Sequence, residues 1–241
     1  MNRLNFERST QHADEVTMPL IEVQNLSKHY SCGDETVAAL RGVDLAIEAG
    51  EFIAIMGQSG SGKSTLLSVL GGMNHPTAGV VSIAGVPLYT LPDEGLADFR
   101  AQNLGFVFQS FHLIPYLTAL ENVMLPLAIS KMIKAEKRAA AGDALARVGL
   151  AGKAERLPNQ LSGGEQERVA IARAIVNTPH ILFADEPTGN LDSKNSDEVM
   201  GLFRELIGGG QTVVMVTHNP ENCGYADRTI YLRDGLVVES V

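Results

Sequence analysis

Short, unbroken apolar runs recur along the chain. Phe52–Met56 (FIAIM), Ile181–Asp185 (ILFAD) and Thr212–His218 (TVVMVTH) are continuous rather than alternating. Such β-branched-rich runs suit strands covered on both faces, as in a parallel α/β sheet. Each gives way to a loop of polar or glycine residues, and in open α/β sheets ligands bind at these carboxyl-end loops. The beginning of the chain reads differently. IEVQNLSKHY, ALRGVDLAIEAG and GVVSIAGVPL are strand patterns joined by turns, which predicts an antiparallel layer flanking the parallel sheet. From about Leu120 to Leu157 the pattern turns helical, with KAEKRAAAGDALARVGL amphipathic. The expected fold class is therefore α/β, with an N-terminal antiparallel β layer and an α-helical subdomain over about residues 110–165 inserted between two halves of the core.

Length and charge narrow the classes. The 241 residues fit one sizeable domain, with 45% hydrophobic and 20% charged residues. A formal net charge of -9 argues against a general nucleic-acid surface, which wants a basic face. No apolar run approaches the roughly 20 residues that span a bilayer. The longest candidate, Leu113–Ile129, is broken by Pro115, Glu121, Asn122 and Pro126. The opening MNRLNFERSTQHADEV does not read as a secretory signal, and residues 1–19 are expected to form a flexible extension ahead of a domain over 20–241. Cys32 and Cys223 stand in no metal or redox spacing and read as reduced thiols.

The chemistry begins at GQSGSGKST, which comprises Gly57, Gln58, Ser59, Gly60, Ser61, Gly62, Lys63, Ser64 and Thr65. It follows the FIAIM strand and leads into a helical pattern, the context a phosphate loop requires. Its glycines let successive N–H groups turn inward around phosphates, and the helix dipole adds positive potential. Lys63 is expected to reach the β- and γ-phosphates and Ser64 to ligate Mg²⁺. Asp185, at the end of a buried strand, can hold the same ion, while the adjacent Glu186 suits orienting and deprotonating a water. His218 ends the TVVMVT strand in the same position. It reads either as a structural histidine or as a partner of Glu186 and the γ-phosphate. Gln109 follows LGFVF, where its amide can sense Mg²⁺ or water. A second anion site is legible in LSGGEQERVAIARAI, where Ser-Gly-Gly opens a helix with free N–H groups.

These pieces, in this order, resemble the nucleotide-binding subunit of ATP-binding-cassette (ABC) transporters, and the resemblance spans about Ile21 to the C-terminus. FVFQSFHLIPYLTALENVMLPL and DEPTGNLD resemble the branch serving macrolide exporters and lipoprotein-release systems. The resemblance implies a P-loop ATPase that hydrolyses ATP with Mg²⁺ and pairs head to tail with a second copy. It places Leu161, Ser162, Gly163, Gly164 and Glu165 on the partner's ATP and Asp192 of GNLD in the loop crossing the dimer seam. It makes Tyr30 the aromatic that stacks on adenine, against the alternative of packing at a strand end. The family's common signature has Gln at the fifth position. Glu165 departs from this, and a carboxylate there is expected to weaken closure slightly without abolishing activity. The resemblance further implies a separate membrane permease docked on Gln109–Pro126, with Phe111, His112, Leu113, Ile114, Pro115 and Tyr116 offering the contact, and a location on the cytoplasmic face of the cell membrane. The alternatives are a complex that signals across the envelope without moving cargo, and an ABC ATPase acting on DNA or the ribosome. The acidic charge and single cassette argue against the second.

Overall fold

The computed structural model describes residues 18–33 and 35–239. The extension expected over residues 1–19 therefore lies outside the described residues except for Met18 and Pro19. In chain order the elements are β1 (Ile21–Cys32), β2 (Glu35–Ile47), β3 (Phe52–Met56), α1 (Lys63–Leu70), β4 (Ala78–Ile83), β5 (Val86–Pro87), α2 (Asp93–Asn103) and β6 (Leu104–Phe108). They continue with α3 (Ala119–Met124), α4 (Lys134–Arg147), α5 (Gly163–Ile175), β7 (Ile181–Asp185), α6 (Ser193–Gly208), β8 (Thr212–Thr217), α7 (Pro220–Cys223), β9 (Arg228–Arg233) and β10 (Leu236–Val238).

Two sheets form, as the patterning predicts. β2-β1-β4-β5 is antiparallel, while β9, β3, β8, β7 and β6 run parallel with β10 antiparallel at the edge. The continuous apolar runs are explained by burial on both faces. Ile53, Ile55, Phe183, Val214 and Val216 join Leu66 and Leu70 of α1 and Leu40 and Val43 of β2 in one core. Phe52, Ala54, Leu182, Ala184, Val213 and Met215 face the other way into a core with α3, α4, α5 and α6. The helical segment shares that second core: Leu120, Val123 and Leu145 pack with Val169 and Ile171 of α5 in a cluster continuous with the sheet.

The parallel register decides where the chemistry sits. Met56 stands opposite Thr217, Asp185 opposite Val216, and Phe108 opposite Asp185. The residues that follow these strands, Gly57, Gln109, Glu186 and His218, are thereby brought to one edge. At the same edge Asp234 and Gly235 (φ 50° and 78°) make the two-residue β9–β10 turn that their sequence favours. Gly235 approaches β2 so closely that a Cβ there would lie 2.7 Å from the Ala39 carbonyl oxygen. Its carbonyl accepts from Arg41 N–H at 2.9 Å and its N–H donates to the Ser61 carbonyl at 3.0 Å, so this hairpin ties the antiparallel sheet to the phosphate loop. Among the described residues no helix is long and apolar enough to cross a membrane.

Candidate active site

The GQSGSGKST segment forms a loop between β3 and α1. Gly62 precedes the first helical residue with φ 102°, a conformation that strains residues with a side chain, and a Cβ there would sit 2.4 Å from the Ala39 oxygen. With no side chain capping α1, its first N–H groups remain available to an anion. Lys63 is buried, and its ammonium donates to the Gly57 and Gln58 carbonyls at 2.8 and 2.9 Å. The Ser61 hydroxyl is also buried and has no hydrogen-bond partner among the described residues. Above the loop opens a cleft of about 870 Å³. The loop, Gln109, Glu186 and His218 line it on one side, Val37–Ala39, Arg41, Asp234 and Gly235 on the other. That second wall escaped the sequence reading. A signal was present in the Asp-Gly hairpin step, but the wall's place depends on long-range pairing.

The two carboxylates differ in environment. Ser64 Oγ donates to Asp185 Oδ1 at 3.1 Å. Burial is the largest influence on the Asp185 carboxyl and raises it above the usual range, against the Ser64 bond and the Lys63 charge, which hold it down. Glu186 adopts φ 49°, unusual for a residue with a side chain, while its N–H still donates to the Val216 carbonyl at 3.0 Å. Strand pairing thus continues one residue past β7 as the backbone turns. The turned side chain places Oε2 2.7 Å from His218 Nδ1. Gln109 is anchored from the far side by Asn190 Nδ2, which donates to its carbonyl at 2.7 Å.

The remaining predicted positions lie apart from this cleft. Ser162 caps α5 in a reciprocal box: its hydroxyl accepts from Glu165 N–H at 3.3 Å, and the Glu165 carboxylate accepts from Ser162 N–H at 3.0 Å. The departure at Glu165 has a local use: it fixes the helix start and pairs with Lys153. The bonds from Lys153 and Ser162 hold its carboxyl below the usual carboxylate range. Leu161 is buried beneath, and none of Leu161–Glu165 lines the phosphate cleft of its own chain. Asp192 caps α6, accepting from Asn195 N–H at 2.9 Å. Tyr30 is paired with Val37, which lines the cleft, but is itself outside the lining; its hydroxyl accepts from Asn74 at 2.7 Å and Lys28 sits over its ring.

A second concavity, about 500 Å³, runs between α2, β6 and the segment after α3. Phe106, Phe108, His112, Leu125, Pro126 and Ile129 line it, with Ile129 73% exposed. Of the residues in the segment expected to form a docking surface, His112, Leu125 and Pro126 lie here. Leu113 packs against the helical core, and Arg173 holds the Phe111 carbonyl at 2.7 Å.

A parallel sheet whose strand ends gather a phosphate loop, an Asp-Glu pair and a histidine defines a P-loop nucleoside triphosphatase. Comparison with known proteins narrows the class. The family described as ABC transporter matches residues 40–189. The chain is 50% identical over 220 residues to the lipoprotein-releasing system ATP-binding protein LolD of Geobacter metallireducens, covering 91% of this chain and 98% of that one. It is 52% identical over 222 residues to the macrolide export ATP-binding/permease protein MacB of Chlorobium luteolum, covering 92% of this chain but 33% of that protein's length. Among solved structures it matches the dimeric structure of MJ0796, a bacterial ABC transporter cassette, with a TM-score of 0.84 and 47% identity over 90% of this chain and 96% of the other. A post-hydrolysis dimer of the same cassette bound to ADP and Pi matches with a TM-score of 0.84 and 46% identity, over the same shares of the two chains. The chain belongs to the ABC transporter ATP-binding family. It is an ATP-binding, ATP-hydrolysing transporter subunit.

Proposed function

We propose that two copies of this chain close head to tail on two ATP molecules, each gripped by the phosphate loop of one copy and the Ser162–Gly164 segment of the other. The observation that carries this reading is the position of the α5 start. It is a capped helix N-terminus suited to an anion, yet it contributes nothing to its own chain's cleft. The dimeric MJ0796 cassette supports it. In this reading Lys63 and the loop N–H groups bind the β- and γ-phosphates. Ser64 and Asp185 present two hard oxygen donors that already touch, and Gln109 lines the same cleft as Ser64. These side chains would hold Mg²⁺, a hard cation that takes oxygen donors. The ion, when bound, neutralises charge developing on the phosphate oxygens. Glu186 takes the proton of the attacking water as the bond to the β–γ bridging oxygen breaks, and His218 orients that carboxylate. The Gly163 and Gly164 N–H groups add donors where charge builds.

Ser162→Arg is expected to leave ATP binding by the dilute single chain intact while abolishing ATP-dependent dimerisation and turnover. Fluorescent-nucleotide titration and size-exclusion chromatography read the two effects. Equal loss of single-chain binding would assign the segment to its own chain's nucleotide.

The 500 Å³ groove is proposed as the seat of a separate membrane permease, holding this subunit on the cytoplasmic face of the membrane. Its support is the apolar lining and the exposed Ile129 at its rim. The names of the relatives point the same way, one a lipoprotein-releasing ATP-binding protein and one an ATP-binding/permease protein. Ile129→Glu is expected to remove the permease from affinity-purified membrane extracts while leaving ATP binding unchanged. Undiminished co-purification would place the docking surface elsewhere.

A further inference from the structure

α5 and α6 begin side by side, and the two starts are closely fitted. A Cβ on Gly164 would lie 2.2 Å from Asn195 Oδ1, 2.6 Å from its Cγ and 3.0 Å from its Cβ, and these are the three nearest atoms it would meet. One on Gly163 would lie in ordinary contact with Leu191, at 3.7 Å. Asn195 is not free to withdraw. Its Nδ2 donates to both oxygens of Asp192 at 2.9 Å, and its own N–H donates to Asp192 Oδ1 at 2.9 Å. These bonds hold the Asp192 carboxyl below the usual range. One turn further along, Arg168 of α5 pairs with Glu198 of α6.

We infer that Asn195 is a positioning residue that locks the Ser162–Gly164 segment to the Asp192 loop of the same chain, and that Gly164 must be glycine because of Asn195 rather than because of the nucleotide across the seam. The two elements that reach the partner then move as one body. An error in one is transmitted to the other, and the pair delivers its N–H donors and its loop in fixed relation. This rests on the reading that both elements act across the dimer seam.

The test is a double-variant cycle in the full chain. Gly164→Ala is expected to cut turnover by roughly 10–100-fold, the loss that about 1 Å of displacement produces at a reacting site. ATP affinity of the dilute single chain should not change. In an Asn195→Gly background the added methyl meets none of the three atoms that crowd it, so Gly164→Ala should cost nothing more there. The double variant should turn over at the rate of Asn195→Gly alone, and the ATP-driven dimer formed in a Glu186→Gln background should recover in step. Strict additivity of the two losses, a normal rate for Gly164→Ala, or weakened single-chain ATP binding would each overturn the inference. Should Gly164→Ala fail to accumulate folded, recovery of ATP-binding protein in the double variant reads the same clash, and absence of recovery overturns it. The reading beneath is tested separately by wild-type turnover per chain against protein concentration. A flat line would sink the shared site whatever the cycle shows.

Discussion

Glu186→Gln is expected to keep ATP binding and nearly stop hydrolysis, so that an ATP-bound dimer accumulates. The amide matches the carboxylate in shape but cannot take a proton from water. The contribution of a positioned general base sets the loss at roughly 10²–10⁴-fold in turnover. The geometry makes the substitution selective. Glu186 is held by its backbone bond to Val216 and faces His218 Nδ1 at 2.7 Å, whereas the Gly57–Thr65 loop is a separate segment of the cleft wall. Single-turnover release of phosphate measures the chemical step, and size-exclusion chromatography with ATP measures the trapped dimer. Near-normal turnover would remove Glu186 from the proton-transfer role.

Lys63→Ala is expected to act earlier, on binding. The ammonium is buried where it braces the Gly57 and Gln58 carbonyls, and a phosphate drawn into the loop would meet it directly. Hydrogen bonds to a charged group are worth about 1.5–3 kcal/mol, so ATP affinity should fall roughly 10–100-fold. Because this contact exists in the ground state, the loss appears in the dissociation constant for ATP as well as in turnover. The two variants therefore separate: one binds without hydrolysing, the other scarcely binds. Nucleotide titration of the dilute chain distinguishes them, and unchanged affinity in Lys63→Ala would show that the backbone N–H groups hold the phosphates without it.

Where structure follows local rules, the sequence already carried it. The phosphate loop is specified by glycine spacing between a strand and a helix, and the runs at Phe52, Ile181 and Thr212 became buried parallel strands. The start of α5 was equally legible from Ser162 and the glycines after it. The unreadable parts are those made by juxtaposition. α2 went unseen because Leu96 and Phe99 are the only apolar side chains it buries, too few to impose a helical period. The apolar groove combines β6 with residues near Ile129, so the segment after Gln109 exposed its apolar residues to prediction without revealing that Leu113 turns inward. The Ser162-x-x-Glu165 capping pattern stands in the sequence, whereas the pairing of Glu165 with Lys153 is made only by the fold.

The Asp234–Gly235 hairpin has a consequence for how the protein is made. Its bonds reach the Ser61 carbonyl and Arg41, and its strand β9 lies against β3, directly behind the phosphate loop. A chain emerging from the ribosome exposes Lys63 long before it exposes Gly235. Until that late ribbon arrives the loop lacks one of its walls, so a nascent chain should capture nucleotide only after Gly235 has emerged.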